Sequence, residues 1–183
     1  ERLAGYRAAL EGIACASDVA KQLSDAEAHS REMVALFPDS FTDPAALAEA
    51  ANRFAAEDPA RLISLSGPIA ALEALAAATE EADVARKLLT VASAMAADGL
   101  GMGWIHFRVN SAQLLNAIRR RIDPDNTLDL SSGAALNRLR DLLDTVKPLR
   151  SNMAALAIET TTAVRQFLAM AQILQHIDAD APV

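Results

Sequence analysis

Alanine and leucine dominate this sequence, which contains 41 alanines and 24 leucines but only seven aromatic residues. Alanine and leucine are among the best helix formers, whereas the aromatic residues that favour strands are few. Along most of the chain, apolar residues also recur every three or four positions, as they do on one face of a helix. Composition and spacing together predict an all-α fold.

The positions of proline, glycine and capping residues divide the chain into about six or seven predicted helices. Two long terminal helices are predicted over residues 1–23 and 152–177, and Pro59 and 66–68 cut the middle region into short pieces. Short turns between helices favour antiparallel neighbours. We therefore expect an antiparallel helical bundle that forms one domain, residues 1–183.

Capping motifs and glycines refine this plan. Ser24 and Glu27 match a capping box, which predicts a helix start or a kink. Helix starts are also predicted at 42–44 (Thr-Asp-Pro) and at 131–132 (Ser-Ser). The glycines at 99, 101 and 103 predict a break or a close backbone approach before a helix over 104–122.

Two later helices carry regularly spaced apolar residues that we expect to pack against a neighbouring helix. The first seam consists of Leu136, Leu139, Leu143 and Val146, and the second of Leu156, Thr160, Ala163, Phe167, Met170 and Leu174.

The charge balance of the chain limits its partners. Seventeen basic and 24 acidic side chains give a net charge of −7 at pH 7, which repels nucleic acids and anionic lipid surfaces. The longest stretch without a charged residue, 166–177, is well short of the roughly 20 apolar residues that cross a bilayer. The sequence therefore predicts no nucleic-acid partner and no membrane span within this chain.

The sequence contains no motif typical of a catalytic or metal centre. Cys15 is the single cysteine and can form no disulfide within the chain, so we expect it to be a small, packed apolar side chain. Di-iron bundles need Glu-x-x-His on two helices, and this motif does not occur. We predict no catalytic residue, no metal site and no cofactor.

Haem remains open as an alternative. A b-type haem bundle needs one axial ligand on each of two facing helices, and the methionines and histidines allow pairings such as Met33 with His176. Methionines at core spacing more often fill gaps in a core. We keep a haem-binding bundle as the third candidate function.

Directly after the glycines, three chemically different side chains lie within five residues: Trp104, His106 and Arg108. On a helix, Trp104 and Arg108 would share a face, where the guanidinium could stack on the indole or reach a carboxylate ligand. We predict these three residues as a ligand-binding cluster for a small anion. The alternative is a buried tryptophan beside solvated charges at the start of a helix.

Two segments resemble a known family. AAEDPARLISLSGPIAALEALAAAT (55–79) and LNRLRDLLD (136–144) are similar to the extracytoplasmic helical-bundle sensor domains of bacterial histidine kinases and chemoreceptors. The resemblance implies a periplasmic domain that dimerises and binds a small molecule or a periplasmic binding protein. It also implies a first helix that continues from a transmembrane segment before Glu1, and hence a chain that is a fragment of a longer protein.

The sequence therefore favours a non-enzymatic sensor or ligand-binding domain, which recognises a small molecule or a partner protein and transmits a signal through its terminal helices. An alternative of another class is a cytosolic scaffold or adaptor that binds a protein partner. About 20 apolar residues before Glu1 in the full-length protein would favour the sensor over the scaffold.

Overall fold

The computed structural model describes residues 1–38, 40, 43–101, 106–123, 125–127, 129, 131–143, 145 and 152–181. Within these ranges the chain forms α-helices and no strands, which confirms the predicted all-α class. The helices are α1 (Arg2–Ala9), a 3₁₀ turn (Ala14–Ala16), α2 (Ser17–Ala35), α3 (Pro44–Ala55), α4 (Ser66–Ala78), α5 (Ala82–Asp98), α6 (Ser111–Ile122), α7 (Gly133–Leu143), α8 (Met153–Ile158) and α9 (Thr162–His176).

Contacts within the chain group its residues into two compact units. Unit 1 comprises Glu1–Ile105 and Ile173–Val183, and unit 2 comprises His106–Gln172.

Unit 1 has a continuous apolar core. In it, α4 packs against α5, and α1 packs against α2. Leu23, Leu72 and Leu88 are completely inaccessible to solvent, and each leucine of this kind contributes about 1.5–3 kcal/mol to folding through burial. The core consists of Tyr6, Leu10, Ile13, Ala16, Val19, Leu23, Leu65, Leu72, Ala76, Leu88, Val91, Ala92 and Met95.

The predicted first long helix is interrupted, so that prediction is wrong. The chain leaves the helix after α1, passes through Gly12 with φ +78°, and re-enters through the 3₁₀ turn. Positive φ is a conformation that glycine adopts without a steric cost, so Gly12 ends the helix. The predicted capping box at Ser24 is wrong too, because α2 begins at Ser17 and continues through Ser24.

The 3₁₀ turn also explains why Cys15 is not packed as predicted. A 3₁₀ helix has three residues per turn, so residues three apart share a face. Ile13 and Ala16 are buried on that face, whereas Cys15 points away from it and is exposed.

The end of α5 confirms the predicted break and close backbone approach at the glycines. Gly99 and Gly101 have φ +59° and +93°. The Tyr6 hydroxyl donates a hydrogen bond to the Gly99 carbonyl at 2.7 Å. A Cβ on Gly101 would lie 2.8 Å from the Cγ of Arg2, so the backbone passes close to α1. Gly103 lies outside the described residues.

In the middle of unit 1, the predicted helix start at 42–44 and the break at Pro59 are confirmed, but the break at 66–68 is not. Asp43 accepts a hydrogen bond from the Ala45 amide at 2.9 Å, and Pro44 is the first residue of α3. Residues 56–65 form no regular helix. The segment 66–68 begins α4 instead of ending a helix, because proline is tolerated in the first turn.

In unit 2 the helix boundaries differ from the predictions at two places. The helix predicted over 104–122 begins only at Ser111, where the Asn110 side chain accepts a hydrogen bond from the Ala112 amide at 2.9 Å. The predicted final helix is divided into α8 and α9 by Glu159–Thr161. There the Glu159 carboxylate accepts a hydrogen bond from the Thr161 amide at 2.6 Å, which competes with the helical pattern.

The first predicted seam is not the buried face of its helix, and the second is buried only in part. On α7, Leu136 and Leu143 are 60% and 72% exposed, whereas Ala135 is fully buried. On α9, Ala163 is buried as predicted, but Phe167 is 47% exposed. Val146 lies outside the described residues. Ser132 does cap α7, since its hydroxyl accepts a hydrogen bond from the Ala135 amide at 3.2 Å.

Candidate functional site

The structure places only part of the predicted ligand-binding cluster. Trp104 lies outside the described residues. His106 and Arg108 are exposed in the non-helical segment that precedes α6. Arg108 is therefore not on a helix, so the helical spacing that the prediction used to place it beside Trp104 does not apply. A pocket formed by Trp104, His106 and Arg108 stays a prediction.

A different group of polar side chains comes together in unit 1, around Arg61. The chain turns at Asp58, whose side chain accepts a hydrogen bond from the Ala60 amide at 2.8 Å and whose carbonyl accepts one from the Arg61 amide at 3.0 Å. This turn brings the Arg61 guanidinium back over the Phe54 ring, 5.3 Å from its centroid. The guanidinium also donates to the Phe54 carbonyl. The cation–π contact with the Phe54 ring and the hydrogen bond to the Phe54 carbonyl together hold the Arg61 side chain in place.

Arg61 also contacts a histidine that is distant in sequence. Its Nη1 lies 3.3 Å from Nδ1 of His176, the last residue of α9. Because a guanidinium can only donate, Nδ1 accepts, and the proton of a neutral His176 is on Nε2. Burial, and secondly the positive charge of Arg61, lower the pKa of His176 below its ordinary value. His176 is therefore neutral at neutral pH.

A second histidine, His29 on α2, is 8% exposed. Its Nδ1 lies 3.4 Å from the Asp58 carboxylate. Its Nε2 is buried and has no hydrogen-bond partner among the described residues. Leaving a buried polar atom unpaired costs about 1–3 kcal/mol. His29 is one of the residues that line a neighbouring pocket.

These side chains surround a pocket of about 370 Å³. That volume is near the lower end of the roughly 300–1,000 Å³ typical of sites for small molecules. The rings of Phe37 and Phe54 meet edge to face with centroids 5.6 Å apart, and the His176 ring lies 6.0 Å from Phe54. We call it the Arg61 pocket, lined by His29, Ser30, Met33, Val34, Phe37, Phe54, Arg61, Leu62, His176 and Ile177.

The charge of the Arg61 pocket is opposite to that of the whole chain, which carries −7. None of the ion pairs between described residues involves Arg61. None of the described residues in its lining is a carboxylate; Asp58, whose carboxylate lies 3.4 Å from His29 Nδ1, lines a neighbouring groove to which Arg61 also contributes. A permanent cation without a carboxylate partner favours the binding of an anion.

A second pocket of about 480 Å³ adjoins the Arg61 pocket. The two share Ser30, Val34, Leu62 and Ile177 in their walls, and the second is also lined by Glu1, Arg2 and Leu3 at the start of the chain. The Arg61 pocket is thus next to α1 as well as to α2.

Met33 and His176, the pair that the sequence allowed as haem ligands, both line the Arg61 pocket. Both already contact the guanidinium of Arg61, at 3.9 Å from the Met33 Sδ and at 3.3 Å from the His176 Nδ1. An iron ion between them would lie beside a permanent positive charge. Among the described residues, no group of three or more His, Cys, Asp or Glu side chains could hold a metal ion. The pocket suits an anion better than a metal centre.

Sequence reasoning missed Arg61 and considered His29 only among the possible haem ligands. His29 and Met33 are four residues apart on α2, a spacing that puts them on one face, and this signal was available. Nothing local connects Arg61 with His176, because they are 115 residues apart in the chain.

Comparison with known proteins adds no assignment: no family model, no curated protein and no solved structure matches the chain. None of the helices in the described part of the chain is both long and apolar enough to cross a membrane.

Proposed function

We propose that this chain is a non-enzymatic helical sensor domain that binds a small molecule in the Arg61 pocket and transmits the signal through its terminal helices. The observation that carries the proposal is the pocket itself, which combines apolar walls with a guanidinium that forms no ion pair and a His29 Nε2 that has no hydrogen-bond partner among the described residues. The similarity of 55–79 and 136–144 to bacterial extracytoplasmic sensor domains supports a periplasmic, dimeric protein.

The position of the pocket suggests how binding would be transmitted. His29 and Met33 belong to α2, which packs against α1. The neighbouring pocket, whose walls include four residues of the Arg61 pocket, reaches Arg2 and Leu3 on α1. A ligand that orders α2 would therefore slow hydrogen exchange in α1 as well.

A thermal-shift screen with small acids, amines and neutral molecules tests this function. Val34 lines the pocket and is 74% exposed, so Val34→Trp should fill the entrance without disturbing the core. Leu89→Trp is the matched control, because Leu89 is 47% exposed on α5 and lies outside the pocket. We expect ligands to raise the melting temperature of the wild type and of Leu89→Trp, but not of Val34→Trp. Equal shifts in all three proteins would contradict the proposal.

A cytosolic scaffold or adaptor is the second candidate, and the exposure of Leu136 and Leu143 on α7 favours it. These leucines are seven residues apart, so they lie on the same face of α7 and offer an apolar surface to a protein partner. The sequence before Glu1 in the full-length protein separates the candidates. A stretch of about 20 apolar residues favours the sensor, and a polar stretch favours the scaffold.

A further inference from the structure

Among the described residues that line it, the Arg61 pocket joins one permanent cation to apolar walls, and this combination restricts the chemistry of its ligand. We propose that the pocket binds a small monocarboxylate with an apolar, preferably aromatic, body, whose carboxylate pairs with the Arg61 guanidinium. The inference rests on the proposed function and adds the class of ligand to it.

The guanidinium has donors left for a ligand. It carries five N–H groups, of which Nη1 contacts the His176 ring, and Nη2 contacts both the Phe54 carbonyl and, at 3.9 Å, the Met33 sulfur. Nε–H and one Nη1–H remain without a partner among the described residues, and a carboxylate accepts a charge-assisted hydrogen bond from such a donor. Neutral His176 adds a further N–H at Nε2, since its Nδ1 accepts from Arg61.

His29 adds a second polar residue to the lining. Asp58 lies 3.4 Å from Nδ1, so a ligand that reaches this ring would pair with Nε2, which is buried without a partner among the described residues. A neutral ring accepts a hydrogen bond from a ligand hydroxyl, and a protonated ring donates one to a carboxylate oxygen. In both states a polar group of the ligand satisfies an atom that is otherwise buried without a partner.

The remaining walls select the body of the ligand. Met33, Val34, Phe37, Phe54, Leu62 and Ile177 are apolar, and the edge-to-face rings at 5.6 Å form a surface against which an aromatic group packs well. A second carboxylate would lie against these walls without a cation, which is costly. An amine would be repelled by Arg61. One carboxylate on an apolar body is the chemistry that remains.

Titration calorimetry of the full chain with three probes of similar shape tests this class. Phenylacetate carries the carboxylate, phenylacetamide is neutral, and phenethylamine is a cation. We expect phenylacetate to bind at least about tenfold more tightly than phenylacetamide, because hydrogen bonds to charged groups are the stronger ones. Phenethylamine should bind more weakly still.

Arg61→Gln should remove the preference for the acid and leave the affinity for phenylacetamide almost unchanged, which also shows that the variant is folded. Arg61→Lys keeps the charge but replaces the planar guanidinium by an ammonium group, so it should retain part of the preference for the acid. Arg53→Gln is the matched control, since Arg53 pairs with Glu32 on the surface and does not line this pocket. It should bind all three probes like the wild type.

Two results would overturn the inference: equal affinities of the wild type for the acid and the amide, or an equal loss of preference in Arg53→Gln. If the amide or the amine binds best and Val34→Trp blocks it, the pocket is a ligand site but the carboxylate class is wrong. If no probe binds and no molecule of the thermal-shift screen does, the inference and the proposed function both fail.

Discussion

Unit 1 and unit 2 are both built from helices rich in alanine and leucine, yet they bury their leucines differently. Leu72 on α4 is completely buried, whereas Leu136 and Leu143 on α7 are 60% and 72% exposed. The apolar spacing of α4 is matched by a partner helix, α5, that follows it after residues 79–81. The spacing of apolar residues thus predicts which face of a helix is apolar. How far that face is buried depends on the element that packs against it.

The largest expected effect compares one leucine from each unit. Leu72→Ala should lower the free energy of unfolding by about 2–5 kcal/mol, because it opens a cavity in a closed core. Leu136→Ala should change it by less than about 0.5 kcal/mol, since that side chain is mostly exposed. Urea unfolding, monitored by hydrogen exchange of peptides from each unit, measures the change in the free energy of unfolding for both variants. Equal losses would show that Leu136 is covered in solution, and the contrast between the units would then be wrong.

An intermediate effect compares two glycines. Gly101 has φ +93° and a Cβ there would lie 2.8 Å from Arg2 Cγ, so Gly101→Ala should destabilise unit 1 by about 1–2 kcal/mol. In unit 2, a Cβ on Gly133 would meet nothing within 4 Å, and its φ is not positive. Gly133→Ala should stabilise α7 by up to about 1 kcal/mol, because alanine restricts the unfolded chain. Melting temperatures that shift in the same direction for both variants would contradict this prediction.

The smallest expected effect is a pH dependence of the stability of unit 1, which arises from His176 in the pocket. The pKa of His176 is lowered in the folded state by burial and by Arg61, so the unfolded chain takes up the proton first as the pH falls below about 6.5. The stability that neutral His176 contributes is complete above its pKa in the unfolded chain and is lost as the pH falls towards its pKa in the folded protein. Between pH 7.5 and pH 5, the wild type should therefore lose more stability than His176→Gln.

The titration itself gives a second measurement of the same effect. Arg61→Gln removes the positive charge beside His176, so the pKa of His176 should rise towards its ordinary value while the effect of burial remains. An NMR titration of the His176 ring protons reports this directly. An unchanged pKa in Arg61→Gln would show that the contact of 3.3 Å is absent in solution.

The sequence was sufficient wherever a single local rule decides the structure. Asp43 before Pro44 begins α3 and Ser132 begins α7, both as predicted. These features depend on neighbouring residues in the chain and on helical geometry.

Local rules were insufficient where two signals compete. The buried positions Tyr6, Leu10, Ile13 and Ala16 follow helical spacing across Gly12, so the pattern alone conceals the interruption. Only the positive φ of Gly12 shows it. Helical spacing is therefore compatible with these core residues but predicts the wrong path of the backbone through them.

The Arg61 pocket was beyond sequence reasoning for a different reason. Its polar atoms come from α2, from the connection after α3 and from the last residue of α9. Each of these residues has an ordinary local explanation, as a core histidine or a charged loop residue. Their chemistry depends on being brought together, which no short-range pattern encodes.

The contact between Arg61 and His176 has a consequence for the order in which the protein matures. The core of unit 1 contains no described residue beyond Leu100, whereas the pocket needs a histidine made 115 residues after Arg61. His176 follows Leu100 by 76 residues (176 − 100 = 76), so at about 5–20 residues per second a ribosome adds it about 4–15 s after the last core residue. During that interval the nascent chain can hold a finished core beside an unfinished pocket, so the proposed ligand site is completed after the core of unit 1.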